Sequence, residues 1–200
     1  MDKITTLYLL GTFHSGKKSK GALNNIFSQY KFNAILVEGI IDHKTQLFRK
    51  EPFLIWMLKL WFWYLNKKGS EFTLTYKLAK NLNIPVINID KSLNELIELF
   101  HRPYYTLIFI MYIILMIYTS HNLMTFILYF IMAELIYFLY FTLIIGIKLR
   151  DEIFIKRISE IIEVGLYDNI LVVCGKVHAY SIKKNFINKG VVVIDLINRI

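Results

Sequence analysis

Between Pro103 and Ile147 the chain runs for 45 residues with one formal charge, Glu134. A helix that is apolar all round hides either in lipid or in a large core. The rest of a 200-residue chain is too small to build that core. As one helix the stretch would be about 68 Å long, roughly twice a bilayer core of about 30 Å. Thr119-Ser120-His121-Asn122 is the polar cluster inside it, and so the natural turn. The expectation is an inserted apolar helical hairpin over 103–147, transmembrane, with arms Pro103–Tyr118 and Leu123–Ile147. Glu134 is costly in lipid and would be protonated or face the partner helix.

The flanks of this insert read differently. Thr5–Leu10, Asn33–Glu38, Val86–Ile89, Asn169–Cys174 and Val191–Ile194 are short, near-continuous apolar runs, the pattern of strands covered by helices on both faces. Leu23–Tyr30, Glu71–Leu82, Asp151–Val164 and Val177–Ile187 are the helix candidates between them, and Gly16 with Lys17–Lys20 reads as a loop. Strand, connection and strand within the first 38 residues suggest a βαβ unit. The fold class is therefore α/β, with a mixed or largely parallel sheet flanked by helices. Strands lie on both sides of the insert, so 1–102 and 148–200 are expected to form one discontinuous domain. Both ends of the insert must then emerge on one side, which two spans satisfy and one span does not. Arg102, Lys148 and Arg150 at those ends place the α/β domain on the cytoplasmic side of a cell membrane.

Net charge adds to this. The chain carries 24 Lys and Arg against 15 Asp and Glu, a balance of +9. Such a surplus suits nucleic acid or an anionic membrane surface. The chain has no Arg-rich helix, zinc-finger spacing or aromatic-interleaved basic patch, so membrane lipid is the expected partner and nucleic acid is not. Phe53–Leu65, which holds all three Trp residues, is too short to span a bilayer. It suits an interfacial, groove-lining or dimer helix, so a homo-oligomer is a further expectation. Cys174 is the one cysteine, which excludes an internal disulfide, and its apolar strand makes it a small core thiol. Met1-Asp2-Lys3-Ile4 lacks the basic start and cleavage site of a secretory leader.

The chemistry-bearing residues gather at predicted strand ends. Gly11-Thr12-Phe13-His14 follows the first strand and Gly175-Lys176-Val177-His178 follows a late one. Glycine lets the backbone turn tightly there, and the His three positions on enters the following turn. Glu38 ends the second strand and adds a carboxylate. Two His and one carboxylate suit a divalent ion of the Zn, Mn or Co type, with a water left to activate. His14, His178 and Glu38 are thus the candidate metal ligands. Arg150 could orient a carboxylate or stabilise developing negative charge, and Glu71 stands near a helix start, where it could cap. A competing pattern, Gly11 to Lys18, nearly spells a P-loop, but Lys18 stands where Ser or Thr should hold magnesium.

These motifs, in this order, resemble the TraB/PrgY family and its Tiki-type metalloprotease relatives. Gly11-Thr12-Phe13-His14 matches the family's G-T-x-H, and Ile35-Leu36-Val37-Glu38 its strand ending in Glu. Gly69-Ser70-Glu71 matches its G-x-E. Ile89-Asp90-Lys91 matches an I-D-R strand end with Lys for Arg. Leu149-Arg150-Asp151 matches an E-R-D segment with Leu for Glu. Gly175–Asp195 matches the late G-x-x-H, helix, Gly and strand, with Ser181 where Gly is usual. The resemblance covers about 5–100 and 148–195. It implies that His14 and His178 are metal ligands or catalytic imidazoles and Glu38 a ligand or general base, with Glu71 and Arg150 in supporting catalytic roles.

The function expected on these grounds is a membrane-anchored metal-dependent hydrolase acting on peptides. A non-catalytic membrane regulator that binds a peptide or a membrane protein is the alternative, and a P-loop-like nucleotide binder is a third.

Overall fold

The computed structural model describes residues 5–12, 17–38, 71–91, 110–118 and 123–196. Its centre is a five-stranded sheet built from β1 (Thr6–Thr12), β2 (Ala34–Val37), β3 (Val86–Asn88), β4 (Asn169–Gly175) and β5 (Val192–Asp195). The strand order is β3-β2-β4-β1-β5, and every neighbouring pair is parallel. The sheet thus resolves "mixed or largely parallel" to parallel throughout the described residues.

Side-chain alternation explains the layers. On β4, Ile170, Val172 and Cys174 point to one face, where they pack with Leu7, Leu9, Phe154, Ile158, Ile182 and Phe186. Leu171 and Val173 point to the other, among Leu10, Leu23, Ile26, Ile35, Val37 and Ala79. The first face is covered by α4 (Arg150–Val164) and α5 (Lys176–Asn188), the second by α1 (Lys17–Gln29) and α2 (Glu71–Asn81). With both faces dry, the three inner strands are apolar at nearly every position, which is why they read as unbroken hydrophobic runs. The expected loop at Lys17–Lys20 is instead the first turn of α1. Lysine is a good helix former, and the charge cluster alone does not break a helix.

Local signals set the ends. Asn83 takes a left-handed backbone (φ 53°) between α2 and β3, a conformation Asn tolerates better than most residues. Gly165 does the same (φ 68°) where α4 stops, and its N–H donates back to the Ile162 carbonyl.

The insert departs from expectation. Helix 110–118 and α3 (Leu123–Leu143) flank residues 119–122, and the expected hairpin turn there lies outside the described residues. α3 does not end as a separate arm. It passes through a π-helical segment, Ile144–Leu149, directly into α4, giving 42 helical residues without a break. Among the described residues no helix is long and apolar enough to cross a membrane. This corrects the transmembrane hairpin. The lipid partner, read from the net charge together with the apolar insert, and the cell-membrane location with a cytoplasmic domain, read from the spans, fall with it. Phe53–Leu65 lies outside the described residues.

Candidate active site

A parallel sheet delivers every strand's carboxyl end to the same edge. The order here also contains a switch point: the chain leaves β1 toward β2, whereas it leaves β4 toward β5 on the other side. Open α/β sheets place their sites outside such an edge.

Glu38 follows β2 and remains in register, its N–H donating to the Val173 carbonyl at 3.0 Å. Its side chain is 6% exposed. Oε2 accepts the Gly175 N–H at 2.6 Å, and Oε1 accepts from Arg150 Nη2 at 2.5 Å. The glycine that ends β4 therefore offers its backbone to the carboxylate that ends β2.

Asp90 stands just past β3, buried. Its Oδ2 accepts from both Nε (3.1 Å) and Nη2 of Arg150. Arg150 opens α4 and so bridges two carboxylates from neighbouring strand ends. Its guanidinium also lies 5.3 Å from the centre of the Phe154 ring, one helical turn on.

The next residue, Asp151, turns to α5. Its Oδ1 is 2.6 Å from His178 Nδ1. A carboxylate is acceptor only when ionised, so a neutral imidazole donates its proton from Nδ1 and leaves Nε2 as the acceptor. Nε2 is 3.9 Å from Glu38 Oε1, beyond hydrogen-bonding distance. The imidazole packs edge-on against Phe154, with ring centres 5.1 Å apart. Phe154, fully buried, thus forms a common floor under Arg150 and His178.

Burial raises the Asp90 pKa above its ordinary value; the attraction of Arg150 offsets this in part, and repulsion from Glu38 adds to the rise. Burial works against the Arg150 charge, but Glu38 and Asp90 outweigh it, and the guanidinium is held more firmly protonated than usual. Cys174, beneath the cluster, has its thiol pushed well up by burial and then by Glu38 and Asp151. It is a neutral core thiol.

The structure therefore brings together Glu38, Arg150 and His178 of the residues singled out in the sequence. His14 lies outside the described residues. Glu71 is the first residue of α2, and its side chain lies outside the description. No family model, curated protein or solved structure matches the chain.

The metal expectation is corrected. Among the described residues no group of three or more His, Cys, Asp and Glu side chains could hold a metal ion. The reason is visible in the contacts. Glu38 and Asp90 both close on the guanidinium, Glu38 Oε2 is engaged by Gly175, and His178 Nδ1 is engaged by Asp151. An arginine fills the place between the carboxylates where a divalent cation would have to sit. The Zn, Mn or Co cofactor is withdrawn. So is the membrane-anchored metal-dependent peptidase, together with the membrane-regulator alternative; residues 13–16 of the P-loop-like pattern lie outside the described residues.

Asp90 and Asp151 were legible as members of motifs but not as partners of Arg150 and His178. The spacing of Arg150, Phe154 and Arg157 on one helix was the available signal: positions i, i+4 and i+7 share a face.

Proposed function

We propose that this cluster is an acid–base catalytic site in which His178 moves the proton. The observation that carries the reading is the Asp151–His178 contact of 2.6 Å, with Nε2 left facing the interior of the cluster. Asp151 fixes the tautomer and stabilises the imidazolium that forms when Nε2 takes a proton from a substrate hydroxyl or a water. Arg150, held by Glu38 and Asp90, supplies a fixed positive charge for the negative charge that develops as the proton leaves. Glu38 keeps that guanidinium aligned with the imidazole.

Three further parts of the proposal have support short of this. The repeat of the G-x-x-H pattern at Gly11-Thr12-Phe13-His14 and Gly175-Lys176-Val177-His178 supports His14 as a second catalytic imidazole. Strands from both sides of the insert share one sheet, which supports a discontinuous α/β domain of 1–102 and 148–200, and helices at 110–118 and Leu123–Leu143 on either side of residues 119–122 support 103–147 as an inserted helical hairpin. Kinship with the TraB/PrgY family rests on the motif order, from Gly11-Thr12-Phe13-His14 through Gly69-Ser70-Glu71 to Gly175-Lys176-Val177-His178. It gives Glu71 a supporting catalytic role.

The test is twofold. Nitrogen-15 NMR of the neutral His178 ring should show the proton on Nδ1, and the Asp151→Asn variant should weaken that preference. Turnover of an activated ester such as p-nitrophenyl acetate should fall in His178→Gln by a factor on the order of 10²–10⁴, the usual worth of a general base. A proton on Nε2, or equal turnover in the variant, would sink the reading.

A further inference from the structure

The short strand before Asp90 is extended by one further tie to the sheet, the N–H of the buried Ile89 donating to the Val37 carbonyl at 3.0 Å. β3 is three residues long, lies at an edge and pairs with β2 alone among the described strands. Its side chains are half-buried or exposed. Short edge strands of this kind do not by themselves fix the residue that follows them. Yet Asp90 must be fixed, because its Oδ2 orients two nitrogens of Arg150.

Two groups outside the ladder hold the Asp90 main chain. The Asn88 side chain reaches forward, its Oδ1 accepting the Asp90 N–H at 2.8 Å. Arg157, two turns along α4 from Arg150, donates from Nη1 to the Asp90 carbonyl at 2.5 Å and lies 3.4 Å from the Asn88 carbonyl. The N–H and the C=O of Asp90 are thus each claimed by a side chain. A charged donor makes the stronger of such bonds. α4 itself is rigidly seated, with Phe154 and Ile158 fully buried on the sheet. Arg150 and Arg157 therefore grip Asp90 from one rigid helix, one at its carboxylate and the other at its backbone.

We infer that Arg157 is a positioning residue, which sets the direction of the Arg150 guanidinium by locking the Asp90 main chain. The inference rests on the acid–base reading for its functional meaning, but its geometry stands independently. Arg157 touches neither Arg150 nor His178 in this scheme and acts through Asp90 alone.

The experiment reads Arg150 directly. In the wild-type protein the Arg150 Nε–H is held by Asp90 Oδ2, so its NMR signal should be slow to exchange with water. Arg157→Met keeps the aliphatic stem and removes the donor. In that variant the Arg150 Nε–H should exchange at least tenfold faster, while the backbone amides of Phe154 and Ile158 keep their protection. Arg157→Lys, which retains one donor, should recover part of the loss, and Asn88→Ala should move the same signal in the same direction. An unchanged Arg150 signal in Arg157→Met overturns the proposal. So does a loss of protection shared equally by Phe154 and Ile158, which would mark a general structural role. If Arg157→Met does not fold, Arg157→Lys and Asn88→Ala decide: faster Arg150 exchange in both at intact Phe154 protection supports the proposal, and wild-type Arg150 exchange in both overturns it. The His178 tautomer is read on a separate signal, so failure of the acid–base reading would leave this result standing, and the reverse.

Discussion

Arg150 Nη2 meets Glu38 Oε1 at 2.5 Å across 112 residues of chain, and the long apolar stretch lies between them in sequence. The contact joins the end of β2 to the start of α4. It makes a single guanidinium the counter-charge for two buried carboxylates, since Asp90 shares it.

Removing that counter-charge should be costly. Arg150→Met leaves Glu38 and Asp90 facing each other with no cation between them, and breaking a buried pair typically costs about 3–5 kcal/mol. Urea unfolding should show a loss of that size. Asp90→Asn placed on top of Arg150→Met should return part of it, because one of the stranded charges is gone. A loss under 1 kcal/mol in the single variant, roughly the value of an exposed pair, would show that the bridge is not maintained in solution.

The pH dependence of stability should carry the signature of Asp90. Its folded pKa is raised above the ordinary 3.8, with burial as the main cause. Between its unfolded and folded pKa values the folded state therefore holds more protons. The contribution of this group is fully present below 3.8 and declines as pH rises through the folded value. Unfolding free energies measured across the acid range should show wild type losing ground to Asp90→Asn as pH rises. A difference that grows in favour of wild type over the same window would reverse the assignment.

Cys174 should be chemically silent in the folded protein. Its side chain is fully buried and its thiol is pushed well up, so little thiolate exists to react. Alkylation by iodoacetamide at pH 8 should be slower in native protein than in urea by a factor on the order of 10² or more, limited by opening of the sheet. Equal rates would mean that the face formed by β4, α4 and α5 is open.

Much of this fold could be read from the chain because its strands are buried on both faces. Thr6–Thr12 and Asn169–Gly175 are apolar at almost every position, and only a strand or a short core helix reads that way. The order of strands could not be read, because the pairing of β1 with β4 depends on contacts between distant parts of the chain. α1 was legible only from Leu23 onward, since Lys17, Lys18 and Lys20 match a solvated loop as well as a helical turn. At the site, Glu38 and His178 stood out because glycine and strand ends flag them. The partner of His178 did not, since Asp151 lies 27 residues away on another helix. The metal expectation failed for a related reason. Two histidines and a carboxylate describe a ligand set, but spacing along the chain says nothing about which cation stands among them. Here Arg150 does.

The position of β4 between β2 and β1 has a consequence for how the molecule is made. Thr6 pairs with Asn169, 163 residues later, so β1 and β2 have no shared ladder until that late strand arrives. As the chain emerges during synthesis, β1 and β2 must each wait with an edge that β4 will fill. High contact order of this kind slows folding and exposes strands to wrong partners. A product arrested before Asn169 would hold Glu38 and Arg150 yet leave its strand edges open to intermolecular pairing, which makes aggregation, and not partial activity, the fate of a shortened chain.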